Sequence, residues 1–497
     1  MSFRPSGCNL QGLVAWLRCR PVLVTFVISL LLSLLAWSGS LINRDGILYV
    51  EAARIFLEGG FSAALANFYW PFFPIAFASL AQLTGLGLEQ AGYLLNALFM
   101  GGVCALLVDI ARRRFPEAVW FVALVVLALP GLNEYRNELL REYGAWFFSV
   151  LALWLAVRFD KNPGWLSAQL ILPSLLLAAL FRPEAMAFYL AIVLWQAFAS
   201  PAGERLRRVL MIAGPACAIA AVFLVYFFNS PLYEKSRLSS DMVRFGWREL
   251  ELKVAAVSAV LPAYASEQVR GILIWGSVAI IPERFLAKLG VFLLPLLFLA
   301  FAGRLGDALK RNSLLSYAFA AHVLVLSIFV VGMQFLAGRY LALLYLFAAP
   351  VIGYGIWRFV GDRPRWKIPL LVLLAVLMFT NVVSTGPAKQ HFVEAGNWLA
   401  ANVQDTPRVY IDSGRTLYYS GWRPMRRWYT DDREELTGLL KAGRYDFLVL
   451  EVSRKDKGFE QWLADNELQI VQRFSHPNGD AVFIVRTPGA ESSAQAR

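Results

Sequence analysis

The sequence predicts an all-α polytopic membrane protein of about eleven transmembrane helices, ending in a small α/β domain. Three observations carry that prediction. Hydrophobic residues make up 58% of the 497-residue chain and charged residues only 16%, against about 25% charged in a soluble globular chain. Long apolar runs recur from Val22 to Ser384, at lengths close to the roughly 17–25 residues that cross the hydrocarbon of a bilayer. Lys and Arg are gathered in short clusters between those runs. The net charge of +12 is therefore a topological signal, as expected where cytoplasmic loops hold the basic residues. It does not mark a nucleic-acid surface, and no nucleic-acid partner is expected.

The basic clusters orient the chain in a bacterial inner (plasma) membrane. Arg4, Arg18 and Arg20 place the N-terminus in the cytoplasm, and helix 1 spans about 22–38. This first run is read as an uncleaved anchor, although Ser38-Gly39-Ser40 resembles a signal-peptide cleavage site. The next strong cluster, Arg112-Arg113-Arg114, should again be cytoplasmic, so only one of the two intervening apolar segments spans. Segment 71–84 is short and carries Pro71 and Pro74, which makes it juxtamembrane; segment 91–111 is helix 2. The remaining spans are expected near 117–131, 144–158, 165–181, 185–199, 209–228, 286–302, 314–331, 340–358 and 368–384. This threading puts Arg158 and Lys161, then Arg205, Arg207 and Arg208, then Arg304, Lys310 and Arg311, and finally Arg358, Arg363, Arg365 and Lys367 on the cytoplasmic side.

Two regions follow from this threading. A transmembrane region covers 1–384, with outer loops 39–90 and 229–285; the apolar piece Ile272–Ile281 in the second loop is too short to span. A periplasmic α/β domain covers 385–497. Strands are expected at Arg408–Ile411, Phe447–Val452, Ile470–Phe474 and Ala481–Val485, with a hairpin turn at His476-Pro477-Asn478-Gly479-Asp480. Asp456–Asn466 reads as an amphipathic helix with Phe459, Trp462 and Leu463 on one face, and the last eight or so residues as disordered. The four cysteines, Cys8, Cys19, Cys104 and Cys217, fit neither a structural disulfide nor a metal site, and the three histidines are scattered.

Charges also occur where an outer loop should be poor in them. Arg44 and Asp45 follow helix 1. Glu134, Arg136, Glu138, Arg141 and Glu142 fill the turn before helix 4, Arg182 and Glu184 the turn before helix 6, and Arg339 precedes Tyr340 at the start of helix 10. Each residue alone is explained by snorkelling to the interface. Together they put Arg and carboxylates at one membrane depth from four separate connections. Ionisable groups there are costly and usually face a cavity or pathway, and the planar Arg fork suits phosphate. Such a cavity fits an anionic lipid headgroup and acid–base work.

In this layout the chain resembles membrane glycosyltransferases of the GT-C fold, notably the protein O-mannosyltransferases and the aminoarabinose transferase of lipid A. The resemblance rests on Asp45-Gly-Ile-Leu-Tyr49 after helix 1 with Ala52, Ala53 and Gly59-Gly60, on Tyr69-Trp-Pro-Phe-Phe-Pro74, and on Arg141-Glu142-Tyr-Gly-Ala-Trp-Phe-Phe148. Arg339-Tyr340 with Pro350, and Leu417-Tyr-Tyr-Ser-Gly-Trp-Arg-Pro424 in the tail, complete it. Gly46 and Trp70 depart from the group's pattern beside the first acidic residue and before the proline pair, and Glu142 stands where relatives carry Asp.

The resemblance implies transfer of a sugar from a polyprenyl-phosphate donor to an acceptor glycan, lipid or protein, with inversion at the anomeric carbon. Asp45 would be the general base and Glu142 the second acidic residue. Arg136, Arg141, Arg182 and Arg339 would hold the phosphate, and Arg44, Tyr49, Glu138, Glu184 and Tyr340 would complete the substrate site. Gly46–Glu58 is expected as an amphipathic helix on the membrane surface, in contact with lipid. No cofactor is expected, although some GT-C relatives use a divalent cation. A lipid-linked-sugar flippase or transporter, or a non-catalytic component of a surface-polysaccharide complex, is the alternative reading; no internal repeat of the kind common in transporters is visible.

Overall fold

The computed structural model describes residues 19–228, 247–383, 386–387, 389–404, 408–423 and 432–488. Arg4, Arg18, Cys8, Pro424, part of the 229–285 loop and the last residues of the tail lie outside that set. The chain divides into two units, one of residues 1–37 and 68–384 and the other of residues 38–67 and 385–497.

The first unit starts with α1 (Pro21–Trp37), after which α2 (Arg44–Asn67) belongs to the second. The first unit resumes with α3 (Phe72–Thr84), α4 (Leu88–Arg114), α5 (Val119–Ala128), α6 (Glu142–Lys161), α7 (Trp165–Phe181), α8 (Ala187–Ala199) and α9 (Arg205–Phe228). It continues through α10 (Trp247–Ser258), α11 (Val269–Leu289), α12 (Leu293–Phe301), α13 (Leu305–Arg311), α14 (Ser313–Met333), α15 (Ala342–Asp362) and α16 (Lys367–Thr380). Among the described residues, four stretches are long and apolar enough to cross a membrane: Leu88–Arg114, Val269–Phe301, Ser313–Met333 and Gly338–Asp362. Shorter apolar helices occupy Pro21–Trp37, Phe72–Thr84, Pro116–Ala128, Trp165–Phe181 and Pro183–Ala199. Proline sets several of their starts: Pro116, Pro130 and Pro183 open short helical turns, where the missing N–H is no loss. Leu129, held extended before Pro130, ends α5.

One expectation is corrected here. Residues 269–285, expected as non-spanning outer loop, belong to the 21-residue helix α11, with Pro282 inside it. Gly290 (φ +52°) then turns the chain before α12. Glu283, Arg284 and Lys288 interrupt the apolar run, so composition marked two short pieces where the backbone is one helix and a break.

The second unit is built on a four-stranded sheet, β1 (Val409–Ile411), β2 (Phe447–Val452), β3 (Gln469–Ser475) and β4 (Ala481–Arg486), in the order β1-β2-β4-β3. β1 and β2 are parallel and the other pairs antiparallel. Helices α17 (His391–Asn402), α18 (Gly414–Tyr419), α19 (Arg433–Lys441) and α20 (Phe459–Asp465) cover it. Alternation divides the core into two layers. Tyr410, Leu448, Leu450 and Phe483 meet Leu436, Phe459 and Leu463 on one face; Val409, Ile411, Val449 and Ile484 meet Phe392, Leu399 and Leu417 on the other. A central strand buried on both faces reads as a continuous apolar run, as β2 does. The His476–Asp480 turn joins β3 to β4 as expected, with Gly479 at φ +96°.

The C-terminal part of the second unit begins at 385, but residues 38–67, expected with the helices as part of an outer loop, pack in this unit too. Leu41 joins the core layer of α17 and α18. The Tyr419 hydroxyl accepts from Ile42 N–H, and Arg415 donates to Ile42 O. Arg423 pairs with Glu58 at 2.6 Å. These partners lie far away in sequence, so proximity to helix 1 pointed to the wrong neighbour. Gly60 (φ +73°) breaks α2 into two helical segments, a conformation open to glycine at little cost.

Candidate functional site

Within the first unit, three distant connections converge. Glu142 opens α6, Arg182 ends α7, and Arg339 and Tyr340 sit in the one-turn 3-10 helix Gly338–Leu341 before α15. Glu142 is only 3% exposed. Its Oε1 takes Arg182 at 2.9 Å and Arg339 at 3.1 Å. Arg182 also reaches Glu184 at 3.5 Å. The Tyr340 ring lies against both guanidinium groups, 4.6 Å from that of Arg182 and 5.7 Å from that of Arg339. Glu142, Arg182, Glu184, Arg339 and Tyr340, all named from the sequence, thus form one cluster.

The cluster is not saturated. Among the described residues, the buried Oε2 of Glu142 has no hydrogen-bond partner. An unmet buried acceptor costs about 1–3 kcal/mol, more when charged, so the arrangement is suited to a ligand that brings a donor.

The aromatic stretch upstream props this site. The Trp70 indole donates to Leu180 O at 2.7 Å, and the Phe73 ring lies 6.3 Å from that of Phe181. Both contacts hold the end of α7 next to Arg182. On the far side His322, from the middle of α14, hydrogen-bonds Tyr340 O at 2.8 Å. Its only sequence signal is a single histidine in a largely apolar helix.

Arg136, expected as a phosphate ligand, contacts a different set of residues. It is 4% exposed and wedged between helices. It donates to Asn133 Oδ1, Ser29 O, Ser33 Oγ and Ser29 Oγ at 2.6–3.0 Å. With its donors held by α1 and by its own turn, this guanidinium ties elements together and is not presented to a ligand. Arg141 is half-buried directly before Glu142, and Glu138 is half-buried in the preceding turn.

The remaining candidates belong to the second unit. Asp45 lies half-buried in the first turn of α2, where a carboxylate complements the helix N-terminus. Tyr49, one turn later, is 6% exposed, on the buried stripe with Gly46, Val50 and Ala53. The Arg44 side chain is 75% exposed and pairs with Glu451 at 3.5 Å; it is a surface ion pair of small energetic weight. Among the described residues, no three His, Cys, Asp or Glu side chains are grouped so as to hold a metal ion.

No protein-family model matches the sequence, and no curated protein does. The chain is similar in structure to the crystal structure of ArnT from Cupriavidus metallidurans in the apo state, with a TM-score of 0.45 and 14% sequence identity over 95% of this chain and 98% of that one. It is also similar to the structure of the same protein bound to undecaprenyl phosphate, with a TM-score of 0.42 at the same identity and coverage.

Proposed function

We propose that this chain is an inverting glycosyltransferase of the inner membrane that moves a sugar from a polyprenyl-phosphate donor to an acceptor hydroxyl or amine at the periplasmic face. The observation that carries the reading is the buried carboxylate of Glu142, bracketed by Arg182 and Arg339 with one oxygen unpartnered. Two guanidinium groups at the ends of apolar helices suit a phosphate tethered to a lipid tail. As the glycosidic bond breaks, negative charge grows on the leaving phosphate, and preformed cations stabilise it. Half-buried Arg141 adds a third cation next to Glu142. Glu142 aligns the Arg pair and offers its second oxygen to a sugar hydroxyl. Tyr340 packs beneath the guanidinium groups and excludes water.

Asp45 is assigned to deprotonate the acceptor, and Tyr49 to fix the start of α2. The same reading takes the shorter apolar helices as crossings, for about eleven in all, with the N-terminus cytoplasmic and the sheet unit periplasmic. The chemistry needs no cofactor.

The test is transfer by the purified protein from a radiolabelled polyprenyl-phosphate sugar, with a chelator present. Asp45→Asn should lower the rate about 100- to 10,000-fold, the typical weight of a general base, and leave binding of undecaprenyl phosphate intact. Transfer by Asp45→Asn at the wild-type rate would reject this residue as the base. A wild-type protein that moves the lipid across vesicles without transferring sugar would replace the enzyme reading by the transporter one. Loss of wild-type activity to the chelator would add a divalent cation.

A further inference from the structure

We infer that His322, a lone imidazole in the apolar helix α14, is the positioning residue that sets the Arg182 and Arg339 pair; the inference rests on the proposed site. His322 is buried: it is 6% exposed, and its ring lies 5.8 Å from that of Phe188. A polar side chain so placed has to find a partner, and His322 finds one backbone carbonyl, Tyr340 O, at 2.8 Å. A carbonyl only accepts, so Nε2 carries the proton and the imidazole is the donor.

That one bond bears on both arms of the site. Tyr340 follows Arg339 directly, and its ring carries the guanidinium groups of Arg182 and Arg339. Phe188, whose ring packs near the imidazole, lies four residues after Glu184 in the first turn of α8. His322 therefore touches the Gly338–Leu341 turn by hydrogen bond and the segment after the Arg182–Glu184 turn by packing. α14 repeats the grip one heptad on. Phe329, at i+7 and so on the same face, meets the Tyr340 ring edge-on at 5.3 Å. Leu326 and Val330 bury that face between them. A hydrogen bond and an aromatic contact from one rigid helix thus hold a short turn whose own backbone supplies Tyr340 N–H to Ala337 O. Without the imidazole the turn loses its hydrogen bond to α14 and keeps on that helix the Phe329 contact, so that Arg339, still paired to Glu142, is held less firmly. His322 touches no substrate in this scheme and acts through Tyr340.

The experiment measures binding of undecaprenyl phosphate to the folded, detergent-solubilised protein, with Arg182→Ala and Arg339→Ala as references. His322→Phe keeps the aromatic packing and removes the donor; it should weaken binding about five- to tenfold, the weight of one buried hydrogen bond. His322→Gln, whose amide nitrogen reaches the place of Nε2, should stay within about twofold of wild type, and the shorter His322→Asn should behave like Phe. A role confined to folding would lower the yield of folded protein and leave the affinity of the folded fraction unchanged. Should His322→Phe fail to fold, the contrast between Gln and Asn decides the question alone. Wild-type affinity in His322→Phe or His322→Asn, with both Arg variants impaired, would overturn the inference and leave the site standing. Wild-type affinity in the Arg variants would instead remove the lipid-phosphate site on which it rests.

Discussion

Arg136, in the turn before α6, and Arg182, at the end of α7, belong to one unit, and the structure uses them in opposite ways. Arg136 spends its donors on neutral oxygens of Ser29, Ser33 and Asn133. Arg182 shares an anion, Glu142, with Arg339, and that anion keeps a free oxygen. A guanidinium saturated by neutral acceptors is a clamp: nothing is left to offer, and the fold depends on it. A guanidinium paired with an unsaturated carboxylate can exchange that pairing for a ligand anion. Residue type alone does not separate the two arginines; the groups that occupy their donors do.

The largest effect should separate the two directly. Arg182→Ala should cut sugar transfer about 100-fold or more, the usual weight of one donor to developing charge. A rate close to wild type, in the same radiolabel assay, would reduce Arg182 to a second clamp. Arg136→Met should do the reverse. It leaves acceptors on α1 and in the turn before α6 unmet, at a cost of about 1–3 kcal/mol, read as an earlier denaturation midpoint in detergent. Turnover per folded molecule should not change; a slow enzyme of normal stability would break the comparison from this side.

The smallest effect extends the comparison to a buried polar group that is neutral. His391, at the start of α17, is 4% exposed, and its Nδ1 has no partner among the described residues. Burial, and then the His476 ring 5.2 Å away, push its pKa down from 6.5 to about 4, with Lys389 and Arg415 adding to the effect and Asp480 opposing it. The folded state thus holds the imidazole neutral where the unfolded chain would protonate it. Its contribution to stability is complete above pH 6.5 and is lost as pH falls toward 4. Amide protection factors in β2 and β4, corrected for the intrinsic exchange rate, should fall across that window in wild type and less so in His391→Phe. Equal pH dependence in the two would exclude His391 as the source.

Much of this was legible along the chain. The apolar runs, the β2 strand and the His476–Asp480 turn are encoded by residues adjacent in sequence, where period and turn chemistry act. The Glu142, Arg182 and Arg339 cluster was legible for a different reason: a threaded topology assigns each of them a depth, and depth is a one-dimensional quantity. The same threading gives Arg136 the same expected depth, and no linear argument could tell it from the others, because Ser29 and Ser33 lie on another helix. His322 was passed over because a single histidine on an apolar face has no pattern.

Local chemistry along the chain thus established which segments are apolar helices and which are strands. Lateral placement came only with packing. Whether residues 38–67 join the helices or the sheet, whether 269–289 is one helix, and which arginine is saturated all depend on partners dozens to hundreds of positions away. The physical reason is that a side chain's hydrogen-bond capacity is a property of the residue, whereas the groups that fill it are a property of the fold.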